Sequence, residues 1–195
     1  HVSQLTSTQV QALSSDQVLA LTAKQLAGLD VSNLSTDQVA VLNAKQIVAL
    51  TTAQFDALSS DQITALTSTQ VAALGANAFG TIDANELKLF STAEIAAISV
   101  KAMPGLASDA LTGLDSDQIK AISAKQIAVL SSAHISQLSS TQVQALSSTQ
   151  VQALTTKQLA GLDVTSLSTD QVATLTAKQI VTLTTAQFDA LTSDQ

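Results

Sequence analysis

Two histidines, fifteen acidic side chains, eight lysines and a dense population of Ser and Thr hydroxyls are the groups of this 195-residue chain that could do chemistry. Their spacing limits what they can do. His1 and His134 stand at the same place in two copies of one phrase, His1-Val2-Ser3-Gln4-Leu5 and His134-Ile135-Ser136-Gln137-Leu138. Their recurrence therefore follows from duplication. Neither has a second ligand at metal-binding spacing, and a capping or solvent-facing role is expected for His134. Asp115 and Asp117 could be offered as a catalytic carboxylate pair, but that spacing is common in acidic turns. No Gly-x-Ser-x-Gly elbow accompanies the serines, and no Gly-rich phosphate loop, EF-hand loop or calcium-binding nonapeptide is present. The absence of cysteine excludes thiol nucleophiles, thiolate metal sites and disulfides. The expectation is a chain with no catalytic, cofactor-binding or metal-binding residues, and not an enzyme.

Composition narrows the partners. Charged residues make up 12% of the chain and the net charge is -7, against a typical charged share of about 25%. There is no Arg and no basic run, and aromatics are 2%, so nucleic-acid binding has neither an electrostatic footprint nor stacking platforms. An anionic membrane surface is disfavoured on the same ground, and the apolar runs are too short for a membrane span. The chain begins at His1 and ends at Gln195, within a repeat, which is the pattern expected of a piece of a longer protein.

The element that must position every one of these groups is an eight-residue repeat. Leu13-Ser14-Ser15-Asp16-Gln17-Val18-Leu19-Ala20-Leu21 and Leu42-Asn43-Ala44-Lys45-Gln46-Ile47-Val48-Ala49-Leu50 are two copies. Counting from the Ser/Thr as position 1, the chain holds 23 octads, and position 1 is Ser, Thr, Asp, Asn or Gly in all but Ala107. These are helix N-cap residues. Position 4 is Gln in 17 of the 23, Glu at Glu86 and Glu94, and otherwise Ala78, Ala102, Ala110 or His134. Ser/Thr-x-x-Gln is a capping box, and the apolar residues before the cap and at position 5 form a hydrophobic staple. Each octad thus encodes a helix start. Asp16, Asp37, Asp61, Asp83 and Asp117 sit where the helix dipole favours them. Lys24, Lys45, Lys125, Lys157 and Lys178 share position 3 and should form a sparse solvated stripe.

One continuous helix does not fit, because its apolar face would drift about 80° per octad. A β-solenoid fits less well than helices, since positions 5 and 8 have opposite parity, but abundant Val, Ile and Thr keep it as the runner-up. An isolated octad cannot offset the entropy of ordering eight residues with two aliphatic side chains, so octads must share a core. The predicted fold is an all-α solenoid of short capped helical turns, one per octad, with Leu and Val/Ile inside and Ser, Thr and Gln outside. Position 7, mostly Ala or Gly, should let consecutive helical turns approach closely.

A longer period encloses the short one. Residues 1–62 match residues 134–195 without gaps at 51 of 62 positions. The offset of 133 residues is sixteen octads plus one insert, Asp30-Val31-Ser32-Asn33-Leu34, which recurs as Asp163-Val164-Thr165-Ser166-Leu167. Residues 1–133 are one complete long repeat and 134–195 the first part of a second, together one continuous solenoid. The insert should be a tight turn that changes register or direction. Residues 75–114 keep the spacing but lose the consensus: Ala replaces Gln three times, Pro104 should interrupt its octad's helix, and Phe79, Phe90 and Met103 enlarge the apolar positions. This segment reads as a bulkier local core or as a contact site for a neighbouring chain.

The phrase Leu-Ser/Thr-Ser/Thr-x-Gln-Val/Ile-x-Ala-Leu, clearest at Leu138-Ser139-Ser140-Thr141-Gln142-Val143-Gln144-Ala145-Leu146 and in the following octad to Leu154, resembles repeat tracts of very large secreted surface proteins of Gram-negative bacteria. The resemblance covers essentially the whole chain. It implies export, great length and an adhesin-like or matrix-forming role, and it transfers no functional residues. The expected function is structural, a segment of an extracellular fibre or cell-surface stalk, with further copies of its own repeat as partners and a surface or matrix ligand as another. A solenoid binding module for a peptide or glycan is the alternative. An ice-binding array is another, opposed by the free interchange of Ser and Thr and by intruding Asp and Lys.

Overall fold

The computed structural model describes residues 2–195, and of Ser3 only the backbone. Among these residues there is no strand. Twenty α-helices of four to six residues follow one another, with five 3-10 turns among them. The chain is an all-α solenoid, and the alternating pattern a β-solenoid would require is absent from it.

The octad explains each helix locally. Nineteen of the twenty described α-helices carry a complete capping box, and Ala76–Phe79, which starts from Gly75, is the exception. At Ser59, for example, the hydroxyl accepts from the Gln62 amide at 3.3 Å and the Gln62 Oε1 accepts from the Ser59 amide at 2.8 Å. The cap residue is extended, with φ −71° and ψ 161°. Each helix therefore stops after about one turn, because the next octad presents another cap. Position 5 carries the core: Val39, Ile47, Phe55, Ile63 and Val71 are all buried.

Two compact units emerge, one formed by residues up to Ile82 with Leu89–Leu106, the other by Asp83–Lys88 with Ala107–Gln195. Within each unit the stacking follows one rule. A helix packs on the helix three repeats earlier: Ser60–Thr64 on Thr36–Val41 and Ser68–Ala73 on Ala44–Val48 in the first unit, Ser148–Ala153 on Ala124–Val129 and Thr156–Ala160 on Ser132–Ser136 in the second. A second set of contacts, made by Gln side chains, reaches the fourth repeat back. One turn of the solenoid therefore holds between three and four repeats. The neighbour relation of residues in an α-helix, i to i+3 and i+4, recurs here between whole helices.

Three expectations are corrected. Glutamine at position 4 is inside, not outside: Gln38, Gln46, Gln62, Gln70, Gln142, Gln150, Gln158, Gln171 and Gln179 are all buried. Position 7 does not bring consecutive helices together. It faces position 2 of the third repeat back, as Gly161 does at Ser132, Gly105 at Ala76 and Gly113 at Ala84. The insert does not change register. Val31–Asn33 and Val164–Ser166 form 3-10 turns, each closed by its leading Asp, and each insert occupies the place of a full octad. Val31 and Leu34 are buried like positions 5 and 8 elsewhere, and Gln62 reaches their carbonyls across four repeats, as its counterparts do.

Residues 75–114 depart from the rule in the expected places. The octads starting at Ser99 and Ala107 form 3-10 turns, Met103–Gly105 and Ala110–Gly113, with Pro104 in the first. Phe79 and Phe90 pack edge to face with ring centroids 6.4 Å apart, and both are buried, as is Met103.

Candidate functional site

The most repeated chemical group is the position-4 carboxamide, and its geometry shows a second duty beyond capping. While Oε1 accepts from the cap amide of its own helix, Nε2 turns inward and donates to two backbone carbonyls four repeats earlier. Gln70 donates to Val39 O at 2.7 Å and Leu42 O at 2.8 Å. Gln158 donates to Ile127 O at 2.7 Å and Leu130 O at 2.8 Å, while its Oε1 takes the Thr155 amide at 2.7 Å. In both the acceptors are positions 5 and 8, carbonyls of the last helical turn that retain acceptor capacity. One side chain thus satisfies an N-terminal donor of one helix and two C-terminal acceptors of another, and it ties successive turns together.

The sequence carried a signal of this duty. A capping box accepts Glu as readily as Gln, yet position 4 is Gln 17 times and Glu twice. Only the amide has N–H groups to donate. Glu86 and Glu94 cap their helices through a carboxylate oxygen, 3.0 and 2.7 Å from the cap amides, but carry no donor for a second contact.

The titratable residues fall into structural roles. His134 is buried and stands in for glutamine: its Nδ1 accepts from the Ser131 amide at 3.1 Å, which assigns the ring proton to Nε2. His1 lies outside the described residues. Asp115 caps its helix, accepting from the Asp117 and Gln118 amides at 2.9 and 2.8 Å, while Asp117 pairs with Lys120 at 3.3 Å on the surface. The two carboxylates are thus turned to different tasks. Asp16, Asp37, Asp61 and Asp83 are exposed, as are Lys24, Lys45, Lys125, Lys157 and Lys178. Asp163 accepts from the Thr165 hydroxyl at 2.6 Å and amide at 3.0 Å, and these bonds hold its carboxyl below its ordinary range. Among the described residues no group of three or more His or acidic side chains could hold a metal ion, and no helix is long and apolar enough to cross a membrane.

One concave feature stands apart, at the start of the divergent stretch. A cavity of about 490 Å³ opens between the end of the Ala44–Val48 helix, the Thr52–Asp56 helix and the Ala76–Phe79 helix. Ile47, Leu50, Phe55, Gly75 and Ala78 are among its walls. The sequence marks Ala78 as a departure from consensus and counts Gly75 among the cap residues, but it does not connect either with a cavity, because the opposite wall lies about one solenoid turn away in the chain.

A family model described as the ALTTAQ repeat matches residues 46–76. The matched stretch contains the literal phrase Ala49-Leu50-Thr51-Thr52-Ala53-Gln54, and it spans about one turn of the solenoid. No curated protein matches the chain. Match and architecture agree on the same conclusion: this chain is a helical repeat protein whose unit is the capped octad.

Proposed function

We propose that the chain is a structural segment of an extended surface or extracellular fibre, non-catalytic, that grows by stacking further turns of its own repeat and serves adhesion or matrix formation outside the cell. The observation that carries this reading is the clasp: Gln70 ties its octad to Val39 and Leu42, and Gln158 ties its octad to Ile127 and Leu130, by the same four-repeat rule, so each turn is held to the one before it and offers the next the same carbonyls. Low charge and the repeated capping chemistry support a scaffold, and the resemblance to secreted surface proteins supports an extracellular location.

The test is length. Chains with one, two and three further 133-residue long repeats should give particles whose length by electron microscopy rises in equal steps. Surface labelling of the native cell with an antibody to the octads should mark the exterior. Compact particles of constant length, or purely internal labelling, would overturn the reading.

A further inference from the structure

The cavity at Ala78 is a vacated glutamine slot. By the four-repeat rule, the side chain at position 78 should donate to Ile47 O and Leu50 O, as Gln70 does to Val39 O and Leu42 O. Ala78 has no group to give, and among the described residues no side chain donates to either carbonyl. The cap side is vacant too: Gly75 provides no side-chain cap, and its amide has no Oε1 to meet, in contrast with the Thr67 amide, which donates to Gln70 Oε1 at 2.7 Å. Leu50 is accordingly half-buried, while Leu42, Leu58 and Leu66 at the same position are buried. The slot therefore keeps two acceptors and one donor placed for a carboxamide, and the 490 Å³ around them has apolar wall from Phe55 and Val48 for an attached alkyl body.

We propose that this slot binds a primary carboxamide supplied from outside the chain. The amide N–H groups donate to Ile47 O and Leu50 O, and its oxygen accepts from the Gly75 amide. A carboxylate of the same shape presents oxygen to two carbonyls and is rejected, because a site built around hydrogen-bond acceptors discriminates strongly against a ligand that cannot donate. The carboxamide could be a free small molecule or a glutamine side chain of another protein, and both share this chemistry.

The experiment is an amide-resolved NMR titration of the 195-residue chain. Propionamide should produce saturable shifts confined to residues 47–55 and 74–80, with propionate and N,N-dimethylpropionamide weaker by at least about tenfold. N-acetylglutamine methylamide, run against its glutamate analogue, reports the protein-borne source. Saturation by either amide supports the slot and identifies its source. Ala78→Gln should restore the internal contact, abolish the shifts and raise Tm by roughly 2–4 °C. Equal response to amide and carboxylate, no saturable response to any amide, or an Ala78→Gln chain that still binds would each overturn the proposal.

Discussion

The turns built from Ser35 to Leu74, and again from Ser139 onward, differ from the stretch 75–114 in one side-chain function rather than in their periodicity. Both keep the eight-residue spacing apart from the insert, and within the divergent stretch the octads at Asp83 and Ser91 also keep the capped start. The regular turns insert a neutral amide between layers, and backbone carbonyls are met across the gap by Nε2. In the divergent stretch Ala102 and Ala110 have no such arm, and the backbone comes close instead: a Cβ on Gly105 would lie 2.2 Å from Ala76 O, and one on Gly113 2.3 Å from Ala84 O. Glutamine therefore acts as spacer as well as clasp. Where it is lost, the layers either close up, requiring glycine, or leave a cavity, as at Ala78.

The largest effect should come from cutting one clasp in a regular turn. Gln158→Ala leaves Ile127 O and Leu130 O without their donor and also removes half of a capping box, so a loss of about 3–4 kcal/mol is expected in denaturant unfolding. Gln25 is its counterpart in the first long repeat, but it is exposed and makes only capping bonds. Gln25→Ala should therefore cost only about 1 kcal/mol. Equal losses at the two sites would mean that the cross-turn bonds contribute little and that glutamine serves only as a cap.

Gly105→Ala tests the closed-up layer. The added methyl meets the Ala76 backbone, which cannot swing aside, so a loss of about 2–3 kcal/mol is expected. The same substitution at Gly161 meets Ser132 O at an ordinary 3.6 Å and should be neutral or slightly stabilising, measured by thermal unfolding. Next in size is Glu94→Gln. It supplies the donor missing toward Ile63 and Leu66, which lie four repeats earlier, and should add about 1 kcal/mol.

The smallest effect concerns the insert. Asp163 has a lowered pKa through its bonds to Thr165, so its stabilisation is fully present above the ordinary carboxylate range and is lost as pH falls through its own lower value. Amide exchange at Thr165 should accelerate only on acidification below about pH 4. Asp163→Asn should remove that pH dependence, and a profile unchanged by the substitution would assign it to another group.

Much of this architecture was legible because its causes are local. Ser59 and Gln62 are three residues apart, and Pro104 blocks its own octad, so cap, staple and 3-10 interruption can be read along the chain. The partners of Gln70 Nε2 lie 28 and 31 residues away, and nothing local demands them once capping accounts for the glutamine. That is why the amide was placed outside. The insert misled for a related reason: five residues look like a break in a count of eight, yet Val31 and Leu34 offer the same buried side chains and carbonyls as a whole octad. The cavity at Ala78 needed both facts, the distant acceptors and the missing donor.

The clasp has one more consequence. It is made of amide and carbonyl dipoles, and the only ion pair seen among the described residues, Lys120 to Asp117, lies exposed at the surface. Screening by dissolved ions weakens attractions between exposed charges but has little hold on buried dipoles. Cohesion between layers therefore does not depend on ionic strength, and an array built from this octad would hold as firmly in dilute water as in brine.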